Sequence, residues 1–375
     1  MTRVLVAPDK FKGSLTATEV ARALRRGLNA AAPPRQDVEV RCLPVADGGE
    51  GTLDAAVAAG YERVPARATG PTGEQVDTAW GRLDDTAIVE MADVSGLARL
   101  PGQELAPMTA TSRGTGELVA AALDAGVRRL VLGIGGSACT DGGAGLLQAL
   151  GARLRDRQGE DVGHGGGALG DLAALDLSTL HPRVREVELV VACDVDNPLT
   201  GPHGAAVTYG PQKGASGGQV TVLDANLAHF ADLLADETGK DLRDSAGAGA
   251  AGGVGFAVVA ALGGVLRPGI QLVLDLLDFQ RHLEGVELVV VGEGTLDAQS
   301  LRGKAPIGVT RLAREAGARV VAVCGVNELA ARELERAGIE AAYAISDLAP
   351  TPEASMRDAA FYLERLAAEH LPRHV

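Results

Sequence analysis

Aromatic residues are scarce in this 375-residue chain, 3% of the total with one tryptophan, and acidic side chains outnumber basic ones to give a net charge of -14. A basic stripe interleaved with stacking rings, as nucleic-acid binding requires, is therefore excluded, and a small polar substrate is expected instead. Cysteine is also sparse. Cys42, Cys139, Cys193 and Cys324 lie far apart with no C-x-x-C, which indicates neither a disulfide framework nor a zinc site. No Walker A motif exists, since neither Gly239-Lys240 nor Gly303-Lys304 has the upstream glycine and the following Ser or Thr. Lysine is the rarest charged residue, five of the 35 basic positions, and four of the five (Lys10, Lys12, Lys213, Lys304) sit in glycine-punctuated segments. In a negative chain an anionic ligand needs local positive pockets, and a compact ammonium in a Gly-rich loop suits phosphate.

Long hydrophobic runs are missing where targeting would need them. Residues 1–10 carry an apolar stretch too short for a signal peptide, so a cytoplasmic protein with no membrane partner is predicted. Ala246 to Leu266 has no charge over 21 residues, but seven of these are glycines, which favours a buried helix entered through a Gly-rich loop over a membrane span. His370 and His374 have helical ligand spacing, yet Pro372 between them argues against a metal pair.

The length calls for two domains, and the 46% hydrophobic content can fill both cores. Strands are expected at 3–7 and 38–43 around a helix at 16–29, which has a Thr16/Glu19 capping box and Val20, Leu24 and Leu28 on one face. Strands at 286–291, 319–324 and 341–346, with helices near 305–316 and 328–337, complete a five-stranded parallel sheet if the two chain ends share a domain. The middle reads differently: antiparallel strands over 61–91, a helix at 115–125, strands at 128–132 and 187–193, and an amphipathic helix through Val220, Leu223, Leu227, Phe230 and Leu234 that Gly239 can end. A last helix over 352–369 has Thr351 as N-cap. The expected architecture is α/β: a discontinuous Rossmann-like domain (1–60 plus 286–375), an inserted α/β domain with mixed or antiparallel strands (61–285), and an active site in the cleft between them.

Ligands of open parallel sheets bind beyond the carboxyl ends of the strands. In the first domain that edge collects Asp9, Lys10, Lys12 and Ser14, then Asp47 and Glu50, then Glu293, Asp297 and Lys304, a mixture of acids and lysines suited to Mg2+ with a polyanionic phosphate. For Asp47 and Glu50, helix capping is an equal alternative. In the middle domain, Gly133 to Gly145 holds six glycines in thirteen residues between a strand and a helix, a backbone that can cradle an anion. The same stretch also reads G-x-G-x-x-A with Asp156 downstream, the pattern of a dinucleotide site. Asp194 ends a buried strand and can act as a general base or open an Asx-turn into Pro198. Lys213, between glycines, is expected on a loop tip facing ligand or solvent.

Together these segments resemble the bacterial type-1 glycerate kinase family along nearly the whole chain. The resemblance rests on Ala7-Pro-Asp-Lys-Phe-Lys-Gly-Ser14, Pro44-Val-Ala-Asp-Gly-Gly-Glu-Gly-Thr52, Gly133-Ile-Gly-Gly-Ser137 with Asp141-Gly-Gly143, Cys193-Asp-Val-Asp-Asn-Pro198, Tyr209-Gly-Pro-Gln-Lys-Gly214, and Gly292-Glu-Gly-Thr-Leu-Asp-Ala-Gln299 with Gly303-Lys304. Thr140 and Ser300 depart from the Asn and Thr often found there. The resemblance implies ATP-dependent phosphorylation of D-glycerate, typically to 2-phosphoglycerate, by a Rossmann-like domain and a second α/β domain. The resemblance does not fix residue roles; from the placement and chemistry of the residues themselves, Gly135, Gly136, Ser137, Asp141 and Lys213 are assigned to ATP, and Asp9, Lys12, Asp47 and Glu50 to glycerate. Asp194, Lys304 and Lys12 are assigned to catalysis, and Glu293 and Asp297 to Mg2+. The alternatives are an NAD(P)-dependent hydroxy-acid dehydrogenase and a non-catalytic sugar-acid sensor. Oligomeric state stays open, a homodimer included.

Overall fold

In the computed structural model, which describes residues 2–31 and 38–375, the strands in chain order are β1 (Thr2–Pro8), β2 (Val38–Cys42), β3 (Glu62–Thr69), β4 (Gln75–Leu83), β5 (Thr86–Glu90), β6 (Arg129–Gly133), β7 (Arg153–Arg155), β8 (Ala174–Asp176), β9 (Glu188–Ala192), β10 (Val265–Arg267), β11 (Leu288–Leu296), β12 (Arg319–Asn327) and β13 (Ala341–Ala344). They fall into two compact units, one from Met1–Asp47, Asp54–Gly60 and Ile270–Val375, the other from Gly48–Leu53 and Tyr61–Gly269. The boundaries differ from the sequence partition at both ends. Helices Gly269–Leu276 and Phe279–His282 and the turn between them bury Val273, Leu274, Leu277 and Phe279 in the same core as β11 and β12, so this segment leaves the inserted part. The short Gly48–Leu53 segment joins it.

The first unit is Rossmann-like: five parallel strands in the order β13-β12-β11-β1-β2. Parallel sheets are covered on both faces, which is why these strands read as unbroken apolar runs rather than alternating ones. Val289 and Val291 enter one core with Val309, Ala313 and Leu274, while Leu288 and Val290 enter the other with Val20, Leu24, Leu28 and Leu363. At about 1.5–3 kcal/mol for each fully buried aliphatic side chain, the sheet centre outweighs its individual polar contacts. The Thr16/Glu19 capping box forms as expected, with Thr16 N–H donating to Glu19 Oε2 at 2.9 Å and Glu19 N–H to Thr16 Oγ1 at 3.3 Å. The final helix is two helices, Pro352–Arg357 and Ala359–His370, because Asp358 (φ -109°, ψ 26°) leaves helical values between them.

The second unit is built on a mixed sheet, β10-β9-β6-β5-β4-β3, antiparallel through β3, β4 and β5 and parallel from β5 to β10. The amphipathic helix runs Gly217–Thr238, opened by a Ser216/Gln219 capping box and closed by Gly239 at φ 72°. The uncharged 246–266 stretch becomes a Gly-rich turn, helix Val254–Ala261 and strand β10. Among the described residues no helix is long and apolar enough to cross a membrane.

One helix contact in the first unit isolates packing from propensity. Gly27, inside helix Ala17–Ala31, lies against Glu364 of the Ala359–His370 helix so closely that an added Cβ would sit 2.2 Å from the Glu364 carbonyl oxygen. Helix propensity favours Ala over Gly by roughly 1 kcal/mol. The backbone clash opposes it, and overpacking of this kind costs about 1–3 kcal/mol. Gly27→Ala is expected to lower the urea unfolding midpoint; a midpoint at or above the parent's would show that the two helices part freely.

Candidate active site

The strand order of the first unit reverses at β1: the chain leaves it toward β2 and returns on its other side as β11. Loops leaving adjacent strands at such a point open a crevice, here beyond Pro8 and Gly292, which are register partners. The two loops also hold each other. Asp9 N–H donates to the Gly292 carbonyl at 2.8 Å, and an added Cβ on Gly294 would come within 3.4 Å of Lys12 N. Strand β11 runs five residues past its expected end, which brings Glu293 into the ladder opposite Cys324.

Three predicted residues meet at this edge. Asp9 is buried and accepts from its neighbour's backbone, Lys10 N–H, at 2.6 Å, with Lys10 Nζ 3.8 Å away. Burial pushes its carboxyl up to about 6; Lys10 and Lys304 pull it down, and Asp47 pushes it further up. Glu293, 8% exposed, is raised to about 7, chiefly by burial, against the pull of Ser300 and Lys304 and with added repulsion from Asp9 and Asp297. Lys304 Nζ lies 3.9 Å from Glu293 Oε2, while Oε1 is buried with no hydrogen-bond partner. Burying a carboxylate costs more than one lysine at this distance returns, so both acids are held toward neutrality until further positive charge arrives. That orphaned oxygen is what a divalent cation or a donor group would satisfy.

The other predictions at this edge separate. Lys12 is exposed on the loop after Phe11. Asp297 is engaged in its own turn, where Oδ1 accepts from Gln299 N–H (2.8 Å), Ser300 N–H (2.9 Å) and Ser300 Oγ (3.2 Å). These bonds hold its carboxyl below the usual range. It therefore fits a cation through one oxygen at most, whereas Glu293 fits through an unpartnered one. Asp47 belongs to this unit, but Glu50, three residues on, is exposed on the second.

In the second unit the carboxyl ends of β5, β6, β9 and β10 line up, and the Gly133–Gly145 loop leaves β6. Its glycines are needed for backbone to pack on backbone. An added Cβ on Gly133 would lie 2.6 Å from the Gly48 carbonyl oxygen, and one on Gly135 would lie 2.7 Å from Gly49 Cα. Gly135 N–H donates to Gly48 O at 3.3 Å, and Gly136 adopts φ 75°. The Gly247–Gly255 stretch does the same against residues 139–142 and 197–198, so close packing accounts for it.

Asp141 is buried and holds the loop. Its carboxylate accepts from Ser112 N–H and Ser112 Oγ (both 2.8 Å), Gly143 N–H (3.0 Å) and Gly145 N–H (3.3 Å). Lys213 is not on a loop tip. It is 2% exposed, donating from Nζ to Ser137 Oγ at 2.9 Å and to the Cys139 carbonyl, because a loop this rich in glycine leaves groups that its own backbone cannot pair. Burial lowers its pKa, opposed by Cys139 and Asp141. Thr140 Oγ1 is buried without a partner. Asp194 Oδ1 accepts from Gly269 N–H at 2.7 Å, at the first residue of the Gly269–Leu276 helix. Asp156 is a half-buried residue just past β7 whose carboxylate accepts from Gln158 and Glu160 N–H, which removes the basis for a dinucleotide reading.

Two buried groups escaped the sequence reading. Ser112 precedes helix Arg113–Asp124, the expected position of an N-cap, yet its Oγ accepts instead from Leu146 N–H of another helix. Glu90, at the end of β5, accepts from Gly51 N–H (3.0 Å) and Leu53 N–H (2.9 Å). An acid ending an apolar strand was a visible signal for Glu90, but its partners are 37 and 39 residues away.

A parallel-sheet edge of buried carboxyls and lysines, together with a second sheet whose central loop is built of glycine around a buried lysine, defines a phosphotransferase-like architecture. A model of the glycerate kinase family matches residues 4–373. The chain is 46% identical over 370 residues to a glycerate kinase of Bacillus subtilis (strain 168), covering 98% of this chain and 96% of that one. It is 44% identical over 361 residues to a glycerate 2-kinase of Escherichia coli (strain K12), covering 95% and 94%. A solved structure from Salmonella typhimurium LT2, described as a glycerate kinase 2, superposes with a TM-score of 0.84 at 41% identity over 99% of this chain and 98% of that one. The chain belongs to the glycerate kinase family and is a kinase.

The Glu293 site has a pH signature. A carboxyl raised from 4.5 to about 7 binds its proton more tightly in the folded state, so its stabilising effect is complete below about 4.5 and is lost as pH rises through 7. Glu293→Gln should therefore match the parent's unfolding free energy at acid pH and exceed it at pH 8 by on the order of 1–3 kcal/mol. Equal stabilities at pH 8 would mean the carboxylate is fully compensated.

Proposed function

We propose that this kinase transfers the γ-phosphoryl group of ATP to the 2-hydroxyl of D-glycerate. The observation that carries the reading is the Asp9–Glu293–Lys304 cluster: two carboxyls held toward neutrality by burial beside a lysine, at the one reversal in the order of a parallel sheet. Such an edge gains by accepting a cation together with a polyanion. The Escherichia coli relative's name, glycerate 2-kinase, supports the 2-position.

In this reading Lys304 stabilises charge on the phosphoryl group in flight, and Lys12, exposed in the loop after β1, draws the anionic substrate in. Glu293 would hold Mg2+, with Asp297 able to add its second oxygen; when bound, the ion neutralises charge on the phosphate oxygens. Asp9 and Asp47 orient glycerate from the same unit, and Glu50 is assigned to glycerate as well. In the second unit, Gly135 N–H and the other engaged loop amides are structural, so the reading assigns phosphate contact to the Gly136–Ser137 stretch. Lys213 and Asp141 set its shape rather than touching the nucleotide. Asp194 takes the proton of the 2-hydroxyl as that oxygen bonds to phosphorus and the bond from phosphorus to the β-γ bridging oxygen breaks, leaving ADP.

The reading requires groups from both units in one turnover. Asp194→Asn and Lys304→Ala should each lower kcat by about two orders of magnitude or more in a coupled assay of ADP release with D-glycerate. Phosphorus NMR of the product should show 2-phosphoglycerate. Near-parental kcat in either variant removes that residue from its role, and a 3-phosphate product removes the stated regiochemistry.

A further inference from the structure

Glu90 belongs to neither set of assigned groups, yet it is an acid only 5% exposed in the second unit. Its two carboxylate oxygens take amides at the start of helix Thr52–Ala58: Oε1 accepts from the N–H of Gly51, just before the helix, and Oε2 from Leu53 N–H. A carboxylate that caps a helix from a distant strand is a strong anchor, because the bonds are charge-assisted and the helix N-terminus favours negative charge. Glu90 is also the register partner of Gly133 across β5 and β6, so it stands beside the start of the glycine loop. From that loop, Gly135 N–H bonds the carbonyl of Gly48, and Gly135 packs on Gly49 without room for a Cβ. Residues 48–53 are thus held at both ends, by Gly135 at one and by Glu90 at the other. Within this short strap lies Glu50, and Asp47 immediately precedes it.

We propose that Glu90 is a positioning residue for the kinase reaction, fixing the 48–53 strap in register with the Gly133–Ser137 loop so that Asp47 and Glu50 are presented to glycerate. This rests on the assignment of those two acids to glycerate. Because the strap acts on substrate binding rather than on the moving phosphoryl group, its loss appears in KM and spares kcat.

Glu90→Gln keeps the shape but turns one acceptor into an N–H donor facing an N–H. It should raise the KM for D-glycerate on the order of tenfold with kcat within about threefold, and speed amide exchange at Gly51 and Leu53. A folded E90Q enzyme with parental KM, whatever its melting temperature, overturns the proposal and leaves Glu90 a helix cap only. Should E90Q not fold, Gly135→Ala pushes on the same strap from the other end with Glu90 in place; a raised glycerate KM supports the proposal and a parental KM overturns it. If the parent itself shows no glycerate-dependent ADP release, the functional reading fails instead, and the clamp is judged by amide exchange alone: unchanged exchange at Gly51 and Leu53 in E90Q overturns it.

Discussion

The return of β11 to the free side of β1 is the constraint on which the first unit's chemistry depends. It sets two loop origins side by side, so that residues almost 300 positions apart in sequence share one crevice. It also forces a cost. Glu293 sits on a strand buried on both faces, where a carboxylate is poorly solvated, and a lysine at 3.9 Å only partly compensates it. A purely structural sheet would place an apolar residue there. Retaining an acid with one buried, unpartnered oxygen leaves a polar group that the fold itself does not satisfy.

The second unit solves a different problem, how to bring main chain against main chain. Gly133, Gly135, Gly48 and Gly49 let two loops approach until carbonyl and Cα are in contact, and a side chain at either glycine of the β6 loop would part them. Close approach strips the loop of water and leaves polar groups to be paired from outside. Lys213, Asp141 and Ser112 supply that pairing, and each is buried. The loop is thereby shaped in advance of any ligand, which is what electrostatic catalysis of phosphoryl transfer requires of its scaffold.

Much of this was legible in the sequence, for identifiable reasons. The five parallel strands announced themselves as apolar runs because they are buried on both faces, and the 61–91 hairpins by their turn residues. The strand-end rule then collected Asp9, Glu293 and Lys304, which the structure brings together, since it depends on topology alone. It failed where side chains turn inward. Lys213 lies between glycines, which suggests exposure, but nothing local reveals that the Cys139 carbonyl needs a donor. Asp194 was legible as a strand-end acid, with a turn as the equal alternative, but its bond from Gly269 N–H, 75 positions away, was not. The partners of Glu90, 37 and 39 positions away, were hidden for the same reason. Short-range patterns report elements and edges; long-range hydrogen bonds appear only once the sheet is assembled.

The central claim is that the buried charges beyond β1 and β11 receive the phosphoryl donor and its cation. It is tested most directly by following the Glu293 carboxyl by carbon-13 NMR against pH, with and without Mg-ATP, the signal assigned by its absence in the Gln variant. The account predicts an apparent pKa of about 7 in the free protein, falling by at least about one unit when Mg-ATP is bound, because positive charge then reaches the unpartnered oxygen. An ordinary carboxyl pKa in the free protein, or a titration that Mg-ATP leaves unmoved, would contradict it.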